Sequence, residues 1–66
     1  MTQKNINEIS AIIENIEETL FEKINNADYE AWDSNTRIRK NAKKRLTYNL
    51  KKCGLTLNDW YAWCDL

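Results

Sequence analysis

"LKKCGLTLNDW", residues 50–60, holds the end of one helix and the start of another within eleven positions. Gly54 stands where a chain leaving a helix passes through the left-handed region, a conformation that glycine adopts at least cost. Immediately afterwards Thr56 and Asp59 have the spacing of a capping box, in which the hydroxyl accepts the Asp59 backbone N–H and the carboxylate accepts that of Thr56. Leu55 and Trp60 flank the box at the hydrophobic-staple positions, and Leu55 comes within reach of Leu50. One helix therefore ends at Cys53 and the next starts at Leu57, running to the end of the chain.

Upstream of this hinge, Ile38, Ala42, Leu46, Leu50 and Cys53 recur at helical spacing and predict a helix from about Asn35 to Cys53. Residues 5–26 carry Ile6, Ile9, Ile13, Ile16 and Leu20 at alternating steps of three and four, joined by Ile12 and Ile24, which predicts one long amphipathic helix. Its opposite arc holds Glu8, Glu14, Glu18 and Glu22, the last three at i, i+4, where like charges repel by a few tenths of a kcal/mol per pair. Between the two, Asp33, Ser34 and Asn35 compete with helix through their own side chains, and Asp28 can cap a short turn, so a break is expected between Ala27 and Asn35.

The expected architecture is all-α, a three-helix mini-bundle of two long antiparallel helices and a short C-terminal one, with residues 1–66 as a single small helical domain. The long helices would each extend about 27–33 Å and the short one about 15 Å. The short helix covers half of the groove between the other two. The other half, near Phe21, Ile24, Trp32 and Ile38, calls for the connecting segment or a second molecule.

A chain of 66 residues buries only about 60% of the surface its unfolded form exposes, so its stability is thin. His is absent and there are two Cys, which rules out a four-coordinate N/S zinc site within one chain. Cys53 and Cys64 fall on different helices, about 10 Å apart along the second, beyond disulfide reach, and are expected to be free thiols in a reducing compartment. No stretch resembles a signal peptide or a membrane span, so a cytoplasmic location without membrane contact is expected. Abundant Asn, Lys and Ile with no Val or Pro fit an AT-rich coding sequence such as a phage or mobile-element gene.

Charge is the most informative property. Residues 1–33 contain two Lys and eight acids, net −6, whereas residues 34–66 contain eight basic residues and two acids, net +6. Six of the ten positions in "RIRKNAKKRL", residues 37–46, are Lys or Arg. Arg39 and Arg45 fall beside the apolar stripe and are expected to face the acidic helix. Arg37, Lys40, Lys44 and Lys51 fall on the opposite side with Tyr48 among them, free for phosphates or for an acidic protein surface.

The glycine hinge also resembles the turn of a helix-turn-helix, with Leu50, Cys53, Gly54, Leu55, Trp60 and Trp63 near that motif's apolar and glycine positions. A recognition helix presents Arg, Lys, Asn or Gln to base edges, while "LNDWYAWCDL" offers Asn58 and two acids with no basic residue. Base reading by the last helix is therefore not expected. Trp60, Tyr61 and Trp63 span more than a third of that helix's circumference, so Trp63 and Leu66 are expected to be left for a partner.

Catalytic chemistry has no foothold: there is no His, one Gly, no phosphate loop and no nucleophile–base pair at a recognisable spacing. Neither an enzyme nor a cofactor is expected. The sequence points to a small protein-binding regulator or inhibitor that docks on a macromolecule through Arg37, Lys40, Lys44, Tyr48, Lys51, Trp63 and Leu66. A second copy of the chain, as a homodimer, is a further candidate partner, and a nucleic-acid backbone contacted through the basic helix is the alternative.

Overall fold

The computed structural model describes residues 4–66. Four helices follow one another: α1 (Ile6–Glu14), α2 (Glu18–Glu30), α3 (Thr36–Lys52) and α4 (Leu57–Cys64). Among the described residues the secondary structure is all helical, as expected, but the count is four and not three.

The difference lies in the first helix. Expected to be continuous over residues 5–26, it breaks at residues 15–17, and the second piece runs on through the segment expected to be a connection. Asn15 stops α1: its backbone N–H goes to Ile12 O at 3.1 Å, and its side-chain Nδ2 donates to Ala11 O at 2.9 Å, which satisfies a terminal carbonyl. The break also removes Glu14 and Glu18 from a shared helix, relieving their i, i+4 repulsion. It opens an apolar trough of about 440 Å³ lined by Ala11, Ile12, Ile16, Leu20 and Cys53.

Asp28 accordingly sits within α2 and caps nothing at its start. The connection shrinks to residues 31–35, where Asp33 Oδ1 accepts the Asn35 N–H at 2.8 Å and Asn35 Oδ1 accepts those of Arg37 and Ile38. This pair of side-chain turns folds α3 back along α2, and the α2–α3 seam is the most extensive in the molecule. At the other end, α3 closes as expected. Gly54 has φ +78°, its N–H bonds Lys51 O at 3.0 Å, and the Leu55 N–H reaches back to Leu50 O at 3.0 Å, a Schellman closure. Thr56 and Asp59 make both hydrogen bonds of the capping box, at 2.9 and 3.1 Å.

One buried cluster joins all four helices: Ile9 and Ile13 from α1, Ile24 and Ala27 from α2, Leu46 and Leu50 from α3, and Trp60 from α4, with Leu55 of the hinge. Because α1 is free of α2's direction, it lies against α4, and the groove expected to stay open is partly filled. Ile24 is fully buried and Phe21 meets Trp60 edge-on at 6.4 Å between ring centroids. Trp32 and Ile38 stay exposed; Ile38 stands in the first turn of α3, past the end of α2, and so drops out of the expected stripe.

Candidate docking face

Eight of the seventeen residues of α3 are Lys or Arg and none is acidic. Ala42, Leu46 and Leu50 turn inward, so Arg37, Lys40, Lys44, Tyr48 and Lys51, spaced by three and four, share the outward side and are all exposed. Tyr48 is 63% exposed and carries the Lys52 ammonium 4.6 Å from its ring centroid, a cation–π contact one helical turn along α3. The five residues expected on α3 are thus brought together. Trp63 and Leu66 are not part of that stripe. Trp63 is half-buried and stacked on Trp60 at 5.4 Å, while Leu66 is exposed beyond the end of α4.

The acidic and basic halves meet less than expected. Among the described residues one ion pair forms, between Arg45 and Glu30, with both side chains about half exposed. Arg39 finds no carboxylate; its guanidinium donates instead to Asp33 O at 3.2 Å and Thr36 Oγ1 at 3.3 Å, bracing the connection. The reason is geometric. Ile24 and Ala27 of α2 and Ala31 just past it are buried, which turns the apolar side of α2 inward, and Glu14, Glu18 and Glu22 are exposed to solvent.

A second exposed feature is read only in part from the sequence, which places Trp32 at the uncovered half of the groove but not Tyr29 beside it. Tyr29 is 84% and Trp32 73% exposed, on the outer side of the last turn of α2 and just past it. The Trp32 ring lies 6.4 Å from that of Tyr61, and Asp28, Asp33 and Asp65 surround them. Burial, then the negative charge of Asp28, pushes the Tyr61 phenol and the Cys64 thiol above their ordinary values, and Asp65 adds to the latter. Cys53, beside the hinge, is raised by burial alone. The signal was present in "DYEAWD", residues 28–33: once Ala27–Glu30 is helical, aromatics at i, i+3 flanked by acids form an outward patch.

Cys53 and Cys64 are free thiols, and the described residues contain no group of three His, Cys, Asp or Glu that could hold a metal. No described helix is long and apolar enough to cross a membrane. Comparison with protein-family models, characterised proteins and solved structures finds no match to this chain.

Proposed function

We propose that this chain is a small binding protein, a regulator or inhibitor that works by docking an acidic macromolecular surface on the outer side of α3. The observation that carries this reading is the uncompensated charge there. Arg37, Lys40, Lys44 and Lys51 stand on one side of a helix without a single acid, and all ten of the chain's Asp and Glu lie elsewhere. Like charges at i, i+4, such as Lys40 and Lys44, weaken a helix by a few tenths of a kcal/mol. Lys51 meets the negative end of the helix dipole in the last turn, but folding gains nothing from Arg37, Lys40 and Lys44, and an acidic partner supplies what the fold does not.

A protein surface is the first choice of partner, because Tyr48 at the middle of the stripe adds an aromatic anchor of the kind that dominates protein interfaces. A nucleic-acid backbone is the second reading, favoured by the exclusively basic composition of α3. Titration of labelled duplex DNA across salt concentrations separates them. A backbone contact gives a log–log slope of about −3 to −4 for three or four cations. A protein partner, cross-linked in cells of the source organism and identified, survives nuclease and is lost with Lys40→Glu/Lys44→Glu. Unchanged capture and unchanged DNA binding by that variant would remove α3 as the docking face.

A further inference from the structure

Three shallow depressions lie side by side on one face and share their rims. The first, around Tyr29 and Asp33, shares Asp28 and Trp32 with the second. The second, which adds Tyr61 and Asp65, shares Lys43 with the third, formed by Lys44, Thr47 and Tyr48. One continuous surface therefore passes from an acidic, aromatic half to a basic half with its own aromatic. Both α2 and α4 end at the acidic half with no basic residue in their last turns, so the negative ends of two helix dipoles add to Asp28, Asp33 and Asp65.

We infer that this face is a homodimer interface in which a second copy, related by a twofold axis, lays its Lys43–Tyr48 half over the Trp32–Asp28 half of the first. A twofold axis exchanges the two ends of a surface, so a face that is acidic at one end and basic at the other is its own complement. Every cross-pair is made twice. The twofold also covers Tyr29, Trp32 and Tyr48, the most exposed aromatics of the molecule, which a free monomer leaves in water. An unrelated partner would have to reproduce the charge order that the chain already carries; a second copy has it. Lys44 and Tyr48 belong also to the docking stripe, so a second copy and another macromolecule compete for that end, and the purified chain alone tests the dimer.

Sedimentation of the wild-type chain at low salt should show a monomer–dimer equilibrium in the micromolar range, typical of charged interfaces with modest apolar content. Added salt should weaken it. Reversing the acidic end (Asp28→Lys/Asp65→Lys), which spares the Asp33 turn, or the basic end (Lys43→Glu/Lys44→Glu) should each raise the dimer dissociation constant at least tenfold, with helical circular dichroism retained. Mixing the two reversed proteins should restore a 1:1 dimer, because each reversed end then meets its reversed complement while the other pair of ends keeps its native charges. Trp32→Ala, at an exposed position, should weaken association with the fold intact. A wild-type chain that stays monomeric at about 1 mM, dimers that persist in either reversed protein, or a mixture that stays monomeric would each overturn the assignment. Capture of a foreign basic peptide by a chain that never self-associates would give the acidic half to another protein and overturn it equally.

Discussion

At φ +78° Gly54 occupies backbone territory that an L side chain enters only at a cost, and a Cβ built there would meet nothing within 4 Å. Its requirement is thus purely torsional. Gly54→Ala should lower stability by about 1 kcal/mol, from the left-handed conformation alone, and Gly54→Asn by less, since Asn tolerates that region better. Urea denaturation with an unchanged slope would check both. Single residues were also where the sequence was most legible: Gly54, Thr56 and Asp59 announce themselves because their chemistry is satisfied by neighbours a few positions away. Asn15 has the same kind of local role through its bond to Ala11 O, but Asn occurs within helices often enough that the residue type alone does not mark a stop.

Helix α3 matches its predicted extent and α4 starts at Leu57 as predicted, because apolar spacing and caps agree at those boundaries, but α4 stops at Cys64 and not at the last residue. The boundary between α1 and α2 escaped for a physical reason. Ile6, Ile9, Ile13, Ile16 and Leu20 keep helical spacing across the break, so periodicity cannot see it; the Asn15 cap and the packing of α1 on α4 accompany the turn there. Of the candidate docking residues, the α3 stripe was legible because it follows from angle alone, whereas the Tyr29–Trp32 patch depended on α2 continuing past Ala27. The cations of α3 should also divide by position. Arg45→Glu sets two carboxylates against each other at Glu30 and should cost up to about 1 kcal/mol, the ceiling for a half-exposed pair. Lys40→Glu/Lys44→Glu should change monomer stability by about 0.5 kcal/mol or less, measured where the chain is monomeric.

The whole chain is formally neutral, yet its ionisable groups do not leave its stability independent of pH. Cys53, Cys64 and Tyr61 are all held above their ordinary values in the folded state, first by burial. A group raised in this way binds its proton more tightly when folded. Its stabilising contribution is complete below the unfolded value, about 8.5 for a thiol and 10 for a phenol, and disappears as pH rises through the folded one. Urea midpoints should therefore be level from about pH 6 to 8 and decline above about 8.5. Cys53→Ser/Cys64→Ser should delay the onset of that decline towards the phenol range. A midpoint that rises in alkali would contradict the assignment.

The packing of α1 on α4 also sets an order of assembly. Five residues separate α2 from α3, but forty-two separate α1 from α4. Closing the longer span costs roughly three doublings of loop length, about 2 kcal/mol more chain entropy than closing the shorter one. The α2–α3 hairpin can thus form before α1 arrives, with Gly54 and its caps already turning α4 back towards it. Docking of α1 is expected last, and its release first, so hydrogen exchange should open the amides of α1 before those of α3. Loosening α1 would uncover apolar core without dismantling the charged face, so its detachment is a motion the molecule can make short of unfolding.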